Sequence, residues 1–386
     1  MKEYCLILSG LLLLNVPLAA QHAKAQQDPN AIHFRMQKVS AEAYESVGVF
    51  DVDGDGIKDL VSGGSWFKGP AYTRSQHIRE VKRTGEYFDD FFTIPLDVNG
   101  DGRMDFLSGG WFGGTIYWYE NTGDYSKPWP EHAVANIGNL ETARGWDIDG
   151  DGVLEIVPNN PDKPFRVYKL DLDKSGKGRG SFSEHQLHIT QGHGLGFGDI
   201  NNDGRKDFVL ADGWLEAPAK PFGQAWIWHP DFQLGQASIP MIVTDLNNDG
   251  RSDLIAGNGH GYGLNWWEQT AEGKWKRHII DGHNSQYHTM EWIDITGDNV
   301  PELLTGKRYR AHNDNDPGSF DDYGLYYFQW DGETFSKQVA RYGALEHTKG
   351  TGNYFTVTDL NGDKRPDWVV AGKDGLCIFF NEEVSH

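Results

Sequence analysis

The sequence predicts an all-β protein, a seven-bladed β-propeller of four-stranded antiparallel blades closed by an N-terminal strand. Three observations carry that prediction. A nine-residue aspartate pattern recurs seven times. Each copy sits among short strand-like runs. No 12-residue stretch beyond the N-terminus shows convincing helical periodicity. Composition agrees, with 48 Gly and 13% aromatic residues in 386, unlike a helical bundle or coiled coil. The formal net charge of -21 argues against nucleic acid, whose phosphates require a basic face.

Residues 1–25 read as an export signal and are set apart from residues 26–386, which form the propeller. Lys2 opens a short n-region and residues 5–20 (CLILSGLLLLNVPLAA) form an apolar core. Ala23-Lys24-Ala25 then supplies a small-x-small cleavage site. The mature protein is therefore expected to be secreted or periplasmic, and not membrane-embedded after cleavage. Cys377 is left as its single thiol. The next segment, HFRMQKVS from His33, is strand-like and precedes the first aspartate loop. It is expected to complete the last blade, which otherwise has three runs (YFTVT, DWVVAG, GLCIFF), and so to remove the free edges of an open array.

The seven copies are DVDGDGIKD from Asp51, DVNGDGRMD from Asp97, DIDGDGVLE from Asp147, DINNDGRKD from Asp199, DLNNDGRSD from Asp245, DITGDNVPE from Asp294 and DLNGDKRPD from Asp359. They are spaced by 46, 50, 52, 46, 49 and 65 residues, the size of a four-stranded blade. A run such as SVGVF or PMIVT precedes each loop, and DLVSGG or DLIAGN follows. A third run is aromatic and alternating (TIYWYEN, AWIWHPD, LNWWEQT). The fourth is more polar (HAVAN, HQLHIT, KRHIID) and suits an outer edge.

Within each loop, oxygens stand at positions 1, 3, 5 and 9, with a backbone carbonyl at 7 and Gly at 6 for the turn. These are Asp51, Asp53, Asp55 and Asp59; Asp97, Asn99, Asp101 and Asp105; Asp147, Asp149, Asp151 and Glu155; and Asp199, Asn201, Asp203 and Asp207. The last three sets are Asp245, Asn247, Asp249 and Asp253; Asp294, Thr296, Asp298 and Glu302; and Asp359, Asn361, Asp363 and Asp367. Such hard-oxygen spacing suits Ca2+, up to seven structural ions. The bland alternative is an empty Asx-turn satisfied by nearby amides. Charge favours the metal, because the loops hold 23 carboxylates. Seven Ca2+ would bring a mature charge of -22 to -8. Asn299 and Lys364 replace the position-6 glycine in the last two loops. The pattern resembles the calcium loops of FG-GAP/VCBS repeats, the blades of integrin-type propellers. That resemblance covers all seven copies and implies a seven-bladed propeller with Ca2+ between the first two strands of its blades.

With the aspartate loops on one face, any pocket is expected at the opposite mouth of the central channel. Six residues before each loop stand Glu45, Phe91, Glu141, His193, Ile239, His288 and Asn353. Five of the seven are polar, unusual where innermost strands favour small and apolar residues. The connections on that face add Trp66, Trp111, Trp214, His260 and Tyr262, then an insertion over residues 307–323 with Lys307, Arg308 and Arg310. His347 is placed to reach the same mouth. His132, His185, His188, His229 and His278 fall on third or outer strands and read as structural.

This constellation suits carbohydrate. Aromatic rings stack on sugar faces, and Lys307, Arg308 and Arg310 suit a carboxylate or hydroxyl-rich ligand. His193, His260 and His288 are candidate ligands for a second divalent metal (Zn2+, Mg2+ or Mn2+) that polarises a carbonyl. Glu45 and Glu141 offer a carboxylate pair of the glycosidase kind. G-x-S-x-G, H-E-x-x-H and phosphate-binding loops are absent. The segment GHGLGFGDINNDGRKDFVLADGWLEAP, residues 192–218, is similar to the propeller of aldos-2-ulose dehydratase/isomerase-type enzymes. This implies a lyase acting on keto-sugars at a metal-assisted site centred on His193, although the extra C-terminal domain of that enzyme is missing here. The expected function is a carbohydrate lyase or dehydratase that removes a proton α to a carbonyl of a keto-sugar or uronate. The competing expectation is a non-catalytic propeller that binds glycan or protein.

Overall fold

A computed structural model describes residues 32–344 and 347–382. The proposed signal segment lies outside the described residues. Seven four-stranded antiparallel sheets are arranged as blades. Blade 1 comprises Gly48–Phe50, Asp59–Ser62, Ser65–Lys68 and Arg74–His77. Blade 2 comprises Ile94–Leu96, Asp105–Ser108, Thr115–Tyr119 and Glu131–Asn136. Blade 3 follows with Thr142–Trp146, Glu155–Asn159, Phe165–Leu172 and Gly178–His188. Blade 4 has Leu195–Gly198, Asp207–Leu210, Gly213–Glu216 and Ile227–His229. Blade 5 has Ile242–Thr244, Asp253–Gly257, Tyr262–Gln269 and Trp275–Ser285. Blade 6 has Tyr287–Ile293, Glu302–Lys307, Tyr323–Trp330 and Phe335–Gly343.

Blade 7 takes Thr356–Thr358, Asp367–Gly372 and Gly375–Glu382 from the C-terminal end, and His33–Ser40 as its outer strand. The last pair is antiparallel, from His33 opposite Glu382 to Ser40 opposite Leu376. The N-terminal strand therefore closes the ring. A two-stranded ribbon, Arg83–Thr84 with Tyr87–Phe88, is an unforeseen addition between blades 1 and 2. Among the described residues no helix is long and apolar enough to cross a membrane.

The core lies between blades. Each neighbouring pair shares one cluster of buried side chains, including blade 7 against blade 1 through Val47, Leu60, Val369 and Ile378. Inner strands approach closely: a Cβ on Gly196 would lie 2.7 Å from the Met241 carbonyl, so blade 4 meets blade 5 there only with glycine.

The aspartate loops share one conformation. Their position-6 residues have φ between 69° and 88°, including Asn299 and Lys364. Position 4 is left-handed as well, filled by Gly or by Asn202 and Asn248. The position-1 carboxylate accepts amides of its own turn, as in Gly54 N to Asp51 Oδ1 and Gly56 N to Asp51 Oδ2, both 2.8 Å. The position-9 carboxylate is a bolt. Asp105 accepts the Val98 amide at 2.9 Å and the Asn121 amide at 2.7 Å, tying the loop to the end of the third strand.

A candidate metal centre at the channel mouth

Two-residue turns connect the second and third strands of blades 1 and 4, at Gly63-Gly64 and Ala211-Asp212. They feed Trp66 and Trp214 straight into the third strand. There they occupy the same position as Trp118 and Trp266, opposite Val61, Leu107, Val209 and Ile255. Trp66 and Trp214 are therefore core residues, each about 6% exposed, and not part of a mouth. The corresponding connection of blade 2 is longer, and Trp111 stays in the loop, facing the cavity.

The inner-layer residues Glu45, Glu141, His193, His288 and Asn353 are all buried. The blade 5 connection adds His260. The three imidazoles have ring centroids 4.6, 5.1 and 5.5 Å apart. His193 Nε2 lies 3.0 Å from His260 Nε2 and 3.7 Å from Glu141 Oε1, while His288 Nε2 is 3.0 Å from the same Glu141 oxygen. Glu141, His193, His260 and His288 each offer a ligand atom within 4.8 Å of the others.

Hydrogen positions follow from partners. His193 Nδ1 is 2.9 Å from the Ala237 carbonyl, which can only accept, so Nδ1 carries the hydrogen. His260 Nδ1 donates likewise to Asp316 Oδ2 at 3.0 Å. The two Nε2 atoms face each other at 3.0 Å, a spacing that either one shared proton or one shared metal ion satisfies. Two nitrogens bound at ~2.1 Å to one tetrahedral ion stand ~3.4 Å apart, close to this spacing. Burial lowers the pKa of His260 and, further, that of His288, which Arg308 also disfavours as a cation. Both are held neutral, as ligands must be. Burial acts to raise the Glu141 carboxyl, but His193 and His288 outweigh it and hold the group well below the usual range.

Arg308 is buried between two carboxylates, with Nε 3.2 Å from Glu45 Oε1 and Nη1 3.3 Å from Glu141 Oε1. Lys307 is buried too, its ammonium spent on the Gly318, Ser319 and Asp321 carbonyls at the base of the insertion. Arg310 lies outside, paired with Glu86 and Asp314. Lys307 and Arg310, expected to meet a ligand, are thus structural ties. His347 is exposed and does not line the cavity. Tyr262 is half-exposed and donates to Asp321 at 2.6 Å.

Sequence reasoning missed His312 and Asp316. They belong to the insertion, where Arg310, His312, Asn313 and Asp314 all adopt left-handed φ of 49–62°. Asp316 accepts from His260, from His312 Nδ1 at 2.9 Å and from Gln286 at 3.2 Å. His312 stacks on His260 at 4.4 Å and 18°, so the two rings cannot both aim an in-plane lone pair at one ion. Hydrogen bonding to Asp316, not shared coordination, explains this second group. The irregular backbone gave no sequence signal.

Among the aspartate loops, Asp51, Asp53 and Asp59, and likewise Asp147, Asp149 and Asp151, bring ligand oxygens within 4.8 Å. Their hard-oxygen chemistry fits Ca2+. A lysine ammonium already stands among them: Lys68 contacts Asp53 and Asp55, while Lys169 contacts Asp149, Asp151 and Glu155. In four other loops the position-7 arginine (Arg103, Arg205, Arg251, Arg365) pairs with the position-5 aspartate.

Fold and site together define a closed propeller with aspartate loops on one face and a histidine–carboxylate cluster at the other. Its repeats are FG-GAP-like: the family model described as "FG-GAP-like repeat" matches residues 97–157, 147–210 and 245–305. The chain is thus a seven-bladed propeller that carries FG-GAP-like repeats over these residues. A solved structure titled "Crystal structure of BBS1N in complex with ARL6DN, soaked with mercury" is similar in fold, with a TM-score of 0.51 and 14% identity over 92% of this chain and 98% of that one. Comparison with curated proteins gives no match.

Proposed function

We propose that this propeller is a metal-assisted carbon–oxygen lyase that removes a proton α to a carbonyl of a keto-sugar or uronate. The observation that carries the reading is the convergence of four ligand atoms, from Glu141, His193, His260 and His288, within 4.8 Å of one another, with the Nδ1 atoms of His193 and His260 bonded outward. Three imidazoles and one carboxylate form a borderline donor set, which favours a first-row transition ion such as Zn2+ or Mn2+ over Mg2+. Such an ion supplies Lewis-acid polarisation of the carbonyl when bound. Asp316 fixes the His260 tautomer, and Ala237 fixes that of His193. Arg308 holds Glu141 against the cluster. His312 lines the cavity with its Nδ1 hydrogen on Asp316, which leaves Nε2 as acceptor for the α-proton. Export, and structural Ca2+ in the aspartate loops, belong to the same proposal.

The test is His193→Ala. Formation of an ultraviolet-absorbing unsaturated sugar should be abolished and transition-metal content should fall at least about tenfold, with the melting temperature little changed. Wild-type protein that takes up no transition metal after chelation and reconstitution would sink the lyase reading. The glycan- or protein-binding propeller would then replace it.

A further inference from the structure

Two hollows flank the histidine cluster. One, of about 240 Å³, is aromatic, lined by Tyr87, Phe91, Trp111 and Phe112 beside Glu141 and His312. The other, of about 390 Å³, is polar, with Asp162, Asp212 and Gln236 beside His193 and His260. Trp111, Glu141 and His312 line both, so the hollows join directly over the cluster. Arg308 is the one lysine or arginine lining either, and Glu45 and Glu141 neutralise it. The carboxylates lining the hollows are Glu141, Asp162 and Asp212, and the ammonium of Lys373, which lies against the Tyr87 ring, is likewise paired, with Glu86.

We infer that the cleft holds an uncharged glycan across two sugar subsites, and that the group eliminated is the second sugar. The inference rests on the lyase reading for its chemistry and on the cavity for its substrate class. The aromatic hollow stacks the apolar face of one ring. The polar hollow takes the hydroxyls of the next, and the bond between them lies over Glu141 and His312. In the step itself, the sugar that keeps the new double bond carries a keto group. The proton on the carbon between that keto group and the glycosidic carbon passes to the His312 imidazole, and the electron pair of the broken carbon–hydrogen bond forms the carbon–carbon double bond. The bond to the glycosidic oxygen breaks, and that oxygen takes the proton back from the His312 imidazolium and departs as the hydroxyl of the released sugar, leaving His312 neutral. No oxidant or reductant is consumed. A uronate is disfavoured, since the one side-chain cation lining the hollows, Arg308, is already paired with Glu45 and Glu141.

Binding separates this inference from the lyase reading. Cellobiose, maltose, glucose and digalacturonate are titrated into the metal-loaded protein and followed by calorimetry. At least one neutral disaccharide should bind about tenfold more tightly than glucose or digalacturonate, and Trp111→Ala should remove most of that advantage. Phe112→Ala, at an exposed ring, repeats the test where folding is not at stake. Digalacturonate or glucose binding as tightly as the neutral disaccharides, no saturable binding up to 10 mM, or indifference to both substitutions would overturn the inference. Elimination is assayed separately on 3-keto-cellobiose and digalacturonate. Tight neutral binding without an unsaturated product would sink the lyase reading and leave the two-subsite cleft standing. Cleavage of digalacturonate alone would do the reverse.

Discussion

At the scale of single residues, the aspartate loops show which positions the backbone dictates. An L-residue in the left-handed region crowds its Cβ against the next carbonyl, and glycine escapes that cost. Lys364, at φ 70°, stands where five sister loops carry glycine. Lys364→Gly should stabilise the protein by about 1 kcal/mol, read as a rise in denaturant midpoint at unchanged slope. Loss of stability would mean that the lysine side chain holds the loop more strongly than its backbone opposes it. Position 6 was legible because glycine recurs there. Position 4 carries the same constraint, but Asn202 and Asn248 share it with glycine, which blurred the signal. His312 was illegible for a related reason: four non-glycine residues take left-handed φ in a segment with no periodicity.

At the scale of elements, strand order was legible because hydrophobic runs and loops repeat at blade spacing. Side-chain direction near a turn was not. Trp66 and Trp111 look equivalent in sequence, yet a two-residue turn commits the first to the core while a longer loop frees the second for the cavity. Outer strands show a similar economy. His132, His229 and His278 stack on Trp118, Trp214 and Trp266 at 4.1–4.2 Å and bond to Glu120, Glu216 and Glu268. The closing strand makes the clearest prediction at this level. Phe34 is 3% exposed in the cluster between blades 6 and 7, beside Trp368 and Phe379. Phe34→Ala should cost about 3–5 kcal/mol by cavity formation. Deleting His33–Ser40 should cause aggregation, since it bares the whole edge of Gly375–Glu382. A deletion variant that unfolds at the parent temperature and stays monomeric would show that closure rests on the other six interfaces.

At the scale of the whole molecule, the loops together set how stability responds to pH and metal. The position-9 carboxylates Asp105, Asp207 and Asp253 are pushed up to about 6, first by burial and then by the neighbouring loop aspartates. An unfolded aspartate titrates at about 3.9. Without metal, the folded state therefore binds more protons than the unfolded state between these values, and stability falls as pH rises through 6. Other groups act in the opposite sense: Asp281 is depressed because Lys337 and nearby donors outweigh its burial, and Glu141 is depressed by its histidines. Those contributions are common to protein with and without calcium, so the difference between two melting profiles isolates the loops. With excess Ca2+ the loop carboxylates are held ionised, and proton uptake at low pH competes with the ion. The calcium-dependent gain in melting temperature should thus be small at pH 5 and exceed about ten degrees at pH 7.5. A gain independent of pH would place the ions away from these carboxylates. No gain at either pH would leave Lys68, Lys169 and the four position-7 arginines as the only cations the loops require.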